Sequence, residues 1–186
     1  SRALVSCGVP CGDAEVFIVD PRTLDTLPSG RVGEVWLRGT AVCRGFWQRE
    51  AESGEVFHAA TRGGQRGFLR TGDLGTVVDG ELFITGRSKE LILVRGSNHY
   101  PQDIEHTAQQ ACDAFRATGG AAFLDDDEGS ERLTIVQELE HAATKRPHYE
   151  EWAFRLRTKV FEEHGVAVAE VVFVRPFAVP KTSSGK

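Results

Sequence analysis

Residues 71–87 read TGDLGTVVDGELFITGR, and this stretch decides how the first half of the chain folds. Asp79-Gly80 predicts a two-residue hairpin turn, because both central positions of such a turn need a positive φ. The turn sets the pairing of the two flanking strands, so Asp73 is expected opposite Gly86. The Asp73 carboxylate is therefore predicted to lie beside Arg87 at the open end of the hairpin.

Two interpretations of the Asp73–Arg87 pair stay open at this point. The pair can be a surface ion pair that closes the hairpin, worth at most about 1 kcal/mol. It can also bind a sugar, because a carboxylate accepts from both hydroxyls of a vicinal diol such as ribose, while the guanidinium donates to the same sugar or to a phosphate. Gly72 and Gly86 would let such a ligand approach the backbone.

The remaining pattern divides the chain into two parts and predicts an α+β fold. Residues 1–87 contain short runs bounded by Gly, Pro and Asp, which predict a β-barrel-like subdomain of strands and hairpins. Residues 88–186 follow the order strand, helix, strand, strand, helix, strand, which predicts a small α+β domain with its own core. We therefore place the domain boundary at Ser88-Lys89.

Both predicted helices of the second part have readable ends. The first is expected to begin at Pro101, since proline is favoured at the first helical position. The second is expected to open at Pro147, to carry an apolar stripe, and to stop at Gly165. Gly96 to Tyr100 is predicted to be a loop before the first of these helices.

The end of the sequence, Pro180-Lys181-Thr182-Ser183-Ser184-Gly185-Lys186, is a polar strip that ends in a cation. Taken alone, it is a frayed tail with an incidental lysine. Together with Asp73 and Arg87, it suggests a flexible arm that carries the Lys186 ammonium into an active site. A compact ammonium on a long stem suits the stabilisation of charge on a phosphate and a carboxylate that are being joined.

Composition narrows the class of protein. The 186 residues have 40% hydrophobic and 26% charged content, which is ordinary for a globular protein, and a net charge of −5, which argues against nucleic acid as the main partner. No apolar run reaches the roughly 20 residues that a membrane span needs. The four cysteines lack paired spacing, so free thiols in a reducing compartment are expected. A chain that starts at Ser1 and contains no methionine is expected to be a fragment or a processed piece.

Other candidate residues receive ordinary interpretations. The acidic segment Asp125 to Glu128 is expected to be a solvated turn, and no metal site is predicted. His99 can act as a base, although a structural hydrogen bond is the preferred interpretation. Trp36, Phe46 and Trp47 are expected to form core and not a platform for a ligand.

Four blocks in order resemble the C-terminal portion of the adenylate-forming superfamily, which contains acyl- and aryl-CoA synthetases, luciferases and nonribosomal adenylation domains. Four matches in order with sensible spacing are specific where one would be weak, and they span nearly the whole chain. The blocks are Gly33 to Gly39 with Arg44-Gly45-Phe46, Phe68 to Gly75, Gly86 to Glu90 continuing to Arg95-Gly96, and Pro180 to Lys186.

The resemblance implies a role for each candidate residue. Asp73 would hold the ribose hydroxyls, Arg87 would also contact the ribose, and Lys186 would be the catalytic lysine of adenylation. Lys89 would be the hinge about which a small mobile C-terminal lid, residues 88–186, rotates against the large domain. Residues 1–87 would then be the β-rich third subdomain of that large domain.

Within the superfamily, Phe68 to Gly75 and Arg95 to Glu105 look most like fatty acyl-AMP ligases. These enzymes activate a fatty acid as its adenylate and pass it to an acyl carrier protein, often for polyketide or nonribosomal peptide assembly. An acyl-CoA synthetase is the enzymatic alternative, and a non-catalytic module that binds a carrier protein or a nucleotide is the other. Asn98 stands where many relatives have an arginine, so no phosphate-binding role is transferred to it.

The resemblance also implies ligands and partners. ATP and AMP would be bound with Mg²⁺ in the intact enzyme, a fatty acid would be the substrate, and a carrier protein or polyketide synthase would be the acceptor. The location is expected to be cytoplasmic. The chain alone is predicted to be inactive, because the phosphate-gripping loop, the adenine contacts and the acyl tunnel would lie in the rest of the enzyme.

Overall fold

The computed structural model describes residues 4–94, 96–127 and 130–181. The chain forms two compact units, and the boundary between them lies between Glu90 and Leu91. Sheets and helices occur together in the chain, so the predicted α+β class is confirmed. None of the helices in the described ranges is long and apolar enough to cross a membrane.

The first unit is a curled antiparallel sheet of five strands with one helix. The longest strand, β4, pairs with three neighbours, β2, β3 and β5, and β1 continues the sheet beyond β2. The elements are β1 (Glu15–Val19), β2 (Gly33–Arg38), α1 (Glu50–Phe57), β3 (Ala59–Ala60), β4 (Arg66–Val78) and β5 (Glu81–Arg87).

The core of the first unit is small and aromatic. Val19, Trp36 and Phe68 are fully buried and form one cluster. The expectation that Trp36, Phe46 and Trp47 share the core is correct only for Trp36. Trp47 is 86% exposed, because it lies in the turn before α1 and not on a strand of the sheet.

The second unit packs two helices with a three-stranded sheet and adds a two-stranded hairpin. The hairpin pairs β6 with β7, and the sheet has the order β10, β9, β8. The elements are β6 (Ile92–Val94), β7 (Ser97–His99), α2 (Pro101–Gln109), β8 (Phe115–Asp127), β9 (Ser130–Leu139), α3 (Tyr149–His164) and β10 (Glu170–Val174).

The core of the second unit confirms the predicted stripe of the long helix. Trp152, Leu156 and Val160 on α3 are buried against Ile104 of α2 and Ile135 of β9. The strands β9 and β10 are parallel, and α3 lies in the connection between them, which is the crossover that parallel pairing requires.

The ends of α3 follow from local chemistry. The helix begins two residues after Pro147, at Tyr149, and ends at His164. Gly165 has φ +68 and donates its N–H to the carbonyl of Phe161 at 2.8 Å, so it closes the helix in the left-handed conformation that favours glycine.

Two segments differ from expectation. Gly96 to Tyr100 was predicted to be a loop, but Ser97–His99 forms β7, with Ile92 opposite His99. Gly96 adopts φ +79, which allows the chain to reverse in two residues. Asp125 to Asp127 of the predicted acidic turn lie on β8, while Glu128 is outside the described residues.

Candidate functional site

The strand β4 leaves its regular pairing with β2 at residues 71–73. Trp36 pairs with Arg70 and Glu34 pairs with Leu74, so three residues of β4 face a single residue of β2. Gly72 at the centre of this bulge has φ +73, and the space that a Cβ would occupy is open. Glycine is therefore needed for its backbone conformation and not to relieve a contact.

Thr71 holds the bulge in place. Its hydroxyl donates to the carbonyl of Val35 on β2 at 2.7 Å and accepts the backbone N–H of Asp73 at 3.0 Å. A short hydroxyl side chain that bonds to the N–H two residues later is a local turn motif. The position of the Asp73 backbone is thus determined by a side chain that is itself tied to the neighbouring strand.

An ion pair between Arg70 and Glu34 lies next to the bulge, and its carboxylate is buried. The guanidinium of Arg70 approaches the Glu34 carboxylate at 2.8 Å from Nη2 and at 3.1 Å from Nε. The Glu34 side chain is only 4% exposed, and the Arg70 guanidinium carbon lies 5.5 Å from the centre of the Trp36 ring. Two parallel hydrogen bonds and a ring contact leave Arg70 little freedom.

The strand β5 has a bulge of its own, which corrects the predicted register. Gly75 pairs with Ile84 but Leu74 pairs with Gly86, so Thr85 is an extra residue on β5. Asp73 consequently lies opposite Arg87 and not opposite Gly86. The register counted from the Asp79-Gly80 turn is correct near the turn and shifts by one residue beyond the bulge.

The two bulges bring Asp73 and Arg87 into contact. The Arg87 Nε lies 3.2 Å from the Asp73 Oδ1. The Arg87 side chain is 65% exposed and that of Asp73 is 34% exposed, so both are open to a ligand. A carboxylate has a second acceptor oxygen and a guanidinium has further N–H donors, so an exposed pair of this kind can bind hydroxyls or phosphate.

The two other predicted site residues are Lys89 and Lys186, and the structure describes only Lys89. Lys89 is exposed in a 3-10 turn, Ser88–Glu90, which directly precedes the boundary between the units. Lys186 lies outside the described residues, as does Arg95. The described residues of the tail extend to Lys181, whose ammonium lies 3.4 Å from the Thr118 hydroxyl.

His99 lies in the second unit and is half-buried. Burial lowers the pKa of His99, and the nearby charge of His164 lowers it further. Among the residues that the structure describes, no group of three or more His, Cys, Asp or Glu side chains is arranged to hold a metal ion.

Sequence reasoning missed the residues that shape the site. Four residues position the Asp73–Arg87 pair: Thr71, Glu34, Arg70 and Thr85. Thr71 stood in the predicted cluster without a role of its own, and the other three were given no role. The Thr71-Gly72-Asp73 tripeptide carried a usable signal, since a hydroxyl residue followed by glycine favours a local turn. Glu34 carried none, because its burial depends on a strand that lies 36 residues away.

Comparison with known proteins gives one family match and several similar proteins. The family described as "AMP-binding enzyme" matches residues 1–47, which include β1 and β2. The medium-chain-fatty-acid–[acyl-carrier-protein] ligase JamA of Moorena producens (strain JHB) is 44% identical over 186 residues, covering 100% of this chain and 31% of that protein. The long-chain-fatty-acid–AMP ligase FadD32 of Mycobacterium marinum is 36% identical over 215 residues, covering 99% of this chain and 34% of that protein.

Solved structures show the same similarity. A chain from a study of fatty acyl-adenylate ligases from E. coli and L. pneumophila matches with a TM-score of 0.78 and 28% identity, covering 100% of this chain and 32% of that chain. The structure of McyG A-PCP complexed with phenylalanyl-adenylate matches with a TM-score of 0.76 and 31% identity, covering 98% of this chain and 31% of that chain.

The chain has the fold of the adenylate-forming enzymes among these solved structures. The chain is similar over nearly its full length to curated relatives named as fatty acyl-AMP ligases and fatty acid–carrier protein ligases. It spans about a third of the length of the curated relatives that it matches.

Proposed function

We propose that the intact protein containing this chain activates a fatty acid with ATP and passes the acyl group to an acyl carrier protein. The observation that carries the proposal is the exposed contact between Asp73 and Arg87, positioned by two bulges of the sheet. The names of two relatives, a fatty acid–carrier protein ligase and a fatty acid–AMP ligase, support the choice of substrate and acceptor.

Each candidate residue has one task in this reaction. Asp73 accepts hydrogen bonds from the two ribose hydroxyls, and Arg87 donates to the same sugar. Lys186 stabilises the negative charge where the fatty acid carboxylate meets the α-phosphate. The carboxylate oxygen forms a bond to the α-phosphorus, the bond to the β-phosphate oxygen breaks, and pyrophosphate leaves.

The two parts of the chain correspond to two parts of the enzyme. We assign residues 1–87 to the β-rich subdomain of the large adenylation domain and residues 88–186 to the mobile lid. The exposed 3-10 turn that contains Lys89 directly precedes the boundary between the compact units, which supports Lys89 as the hinge. Rotation there would bring Lys186 to the site for adenylation and withdraw it for transfer.

The reaction also needs a metal ion and a suitable compartment. Mg²⁺ would neutralise charge on the triphosphate, and we expect the phosphates and the rest of the enzyme to hold it. We further propose a cytoplasmic location, which is consistent with the free and exposed thiols of Cys7, Cys11 and Cys43.

The test uses the full-length parent protein and separates the two half-reactions. Fatty-acid-dependent ATP–pyrophosphate exchange is measured across a panel of chain lengths, and transfer from presynthesised acyl-adenylate is measured with carrier protein and with CoA as acceptors. Lys186→Ala is expected to lower adenylate formation by about 10²–10³-fold and to leave transfer intact. Asp73→Asn is expected to weaken both half-reactions, because the ribose is bound in each.

A matched control comes from the same sheet. Glu15→Gln breaks the Glu15–Arg38 ion pair, a 2.7 Å contact between β1 and β2, and is expected to leave both half-reactions unchanged. Preserved first-step activity in Lys186→Ala would refute the lysine assignment, and loading of CoA instead of the carrier protein would refute the acceptor. The 186-residue chain alone is expected to show no exchange.

A further inference from the structure

A buried carboxylate, that of Glu138, contacts the segment that follows β10. Glu138 is on β9 and its side chain is 0% exposed. A buried carboxylate without partners would be strongly unfavourable, so its contacts are informative. One oxygen, Oε2, accepts a hydrogen bond from Arg116 Nη1 on β8 at 2.9 Å.

The other oxygen binds the tail itself. The backbone N–H of Val179 donates to Glu138 Oε1 at 2.9 Å. Val179 lies five residues after the end of β10. The carboxylate therefore connects the sheet to the chain just before the Pro180-Lys181 segment.

Arg116 makes a second contact with the same part of the tail. Its guanidinium carbon lies 3.7 Å from the centre of the Phe177 ring, a cation–π contact. Phe177 has φ +63, which is uncommon for a bulky residue, and its side chain is 80% exposed. The turn from Arg175 to Ala178 is closed by a 3.2 Å backbone hydrogen bond.

The sheet is shaped to hold the carboxylate. A Cβ on Gly119 would lie 2.8 Å from Glu138 Oε2, so glycine at this position leaves the room that the carboxylate occupies. Gln137, which is fully buried, donates to the carbonyls of Arg116 at 3.1 Å and Glu138 at 2.9 Å. These contacts stabilise the irregular part of β8 between Phe115 and Gly120.

Protonation supports the same picture. Burial raises the pKa of the Glu138 carboxyl, but the hydrogen bonds from the Val179 and Phe177 backbones and from Arg116 outweigh burial and leave its pKa below the usual value of 4.5. The carboxylate is thus charged at neutral pH, when it is the stronger acceptor.

We infer that Glu138 is a positioning residue that fixes where the arm carrying Lys186 leaves the second unit. The inference rests on the proposed function, because it assigns Glu138 a part in delivering that lysine. Lys186 follows Val179 by seven residues, a reach of at most about 25 Å, whereas an arm released at Val174 would span up to about 40 Å. A shorter and directed arm raises the effective concentration of the ammonium at its target.

The test compares Glu138→Gln with Glu140→Gln in the full-length parent. Glu140 is an exposed carboxylate two residues further along and serves as the matched control. We expect Glu138→Gln to slow adenylate formation by at least about 2-fold, because the released arm is longer. The loss is expected to reach about 10²-fold if the Lys186 ammonium is also misplaced. Transfer from presynthesised adenylate, which does not use Lys186, stays at the wild-type rate.

A second measurement reports on the hydrogen bond between Val179 and Glu138 and does not depend on enzymatic activity. Amide hydrogen exchange at Val179 is expected to be slow in the wild type and at least about 10-fold faster in Glu138→Gln. Val179→Pro removes the backbone donor while both members of the Glu138–Arg116 pair stay in the sequence, and it is expected to reproduce the first-step defect.

The outcomes separate the two proposals. Wild-type rates of adenylate formation in both Glu138→Gln and Val179→Pro would overturn the positioning role. Equal losses in both half-reactions would also overturn it, because they would show that Glu138 is only structural. Unchanged amide exchange at Val179 in Glu138→Gln would show that the carboxylate does not hold this backbone N–H. A wild-type parent that forms no adenylate with any fatty acid would instead overturn the proposed function.

Discussion

Two ion pairs in the same sheet differ in what they contribute. The Glu34–Arg70 pair has a carboxylate that is 4% exposed, whereas the Asp73–Arg87 pair is open to water on both sides. An exposed pair contributes between about 0 and 1 kcal/mol, so stability gives little reason for Asp73 and Arg87 to be together. Their exposure gives a better reason, since both side chains can contact a ligand.

This contrast can be measured with two substitutions of the same kind. Arg70→Met leaves the buried Glu34 carboxylate without its partner and is expected to lower the free energy of unfolding by about 3 kcal/mol. That is the low end of the range for a buried charge that loses its partner, because Arg70 itself is 38% exposed. The matched change Arg87→Met is expected to cost at most about 1 kcal/mol.

Denaturant unfolding of the 186-residue chain gives both values. Similar losses from the two substitutions would show that burial of Glu34 does not make its pair different. Under the proposed function, the two variants should reverse their order in the full-length parent: Arg87→Met is expected to weaken adenylate formation more than Arg70→Met does.

At the scale of elements, the sequence predicts positions well where the cause is local. Val78 pairs with Glu81 beside the Asp79-Gly80 turn, and α3 stops where Gly165 allows a left-handed residue. The bulges at residues 71–73 and at Thr85 could not be read from the sequence, because each depends on how a strand fits neighbours that are distant along the chain. The sequence therefore predicted that Asp73 and Arg87 lie close together, but not the register that places them opposite each other.

The hairpin of β6 and β7 provides a pH-dependent test at this scale. Burial, together with His164 on α3, lowers the pKa of His99 on β7 below 6.5. The unfolded chain therefore binds more protons than the folded chain when the pH falls below 6.5. The contribution of a neutral His99 is complete above that pH and is lost as the pH falls through the lowered pKa.

His99→Gln should flatten the dependence of stability on pH below 6.5, and His141→Gln, at an exposed position, serves as the control. Titration of the His99 ring by NMR measures the same quantity directly. A ring that titrates above 6.5, or an unchanged stability profile in His99→Gln, would contradict the predicted direction.

At the scale of the whole molecule, the chain has two separate cores. Val19, Trp36 and Phe68 form the core of the first unit, while Leu156 belongs to the larger cluster of the second. The two clusters share no residue. A core defect on one side of the Glu90–Leu91 boundary should therefore remain on that side.

Leu156→Ala tests this separation. The side chain is 0% exposed, and its truncation is expected to cost about 2–5 kcal/mol in the second unit. Hydrogen exchange should accelerate in β8, β9 and α3 and stay unchanged in β1, β2 and β4. Phe154→Ala on the same helix, where the ring is 70% exposed, is the control and should change stability by less than about 0.5 kcal/mol.

The exposed position of Trp47 has an optical consequence. Its indole is 86% exposed, whereas the indole of Trp36 in the same unit is 0% exposed and that of Trp152 is 7% exposed. A dissolved quencher such as iodide can collide with the first and is kept from the other two. The red-shifted, quenchable part of the native tryptophan fluorescence is thus expected to come from Trp47. Its emission therefore reports on the turn before α1.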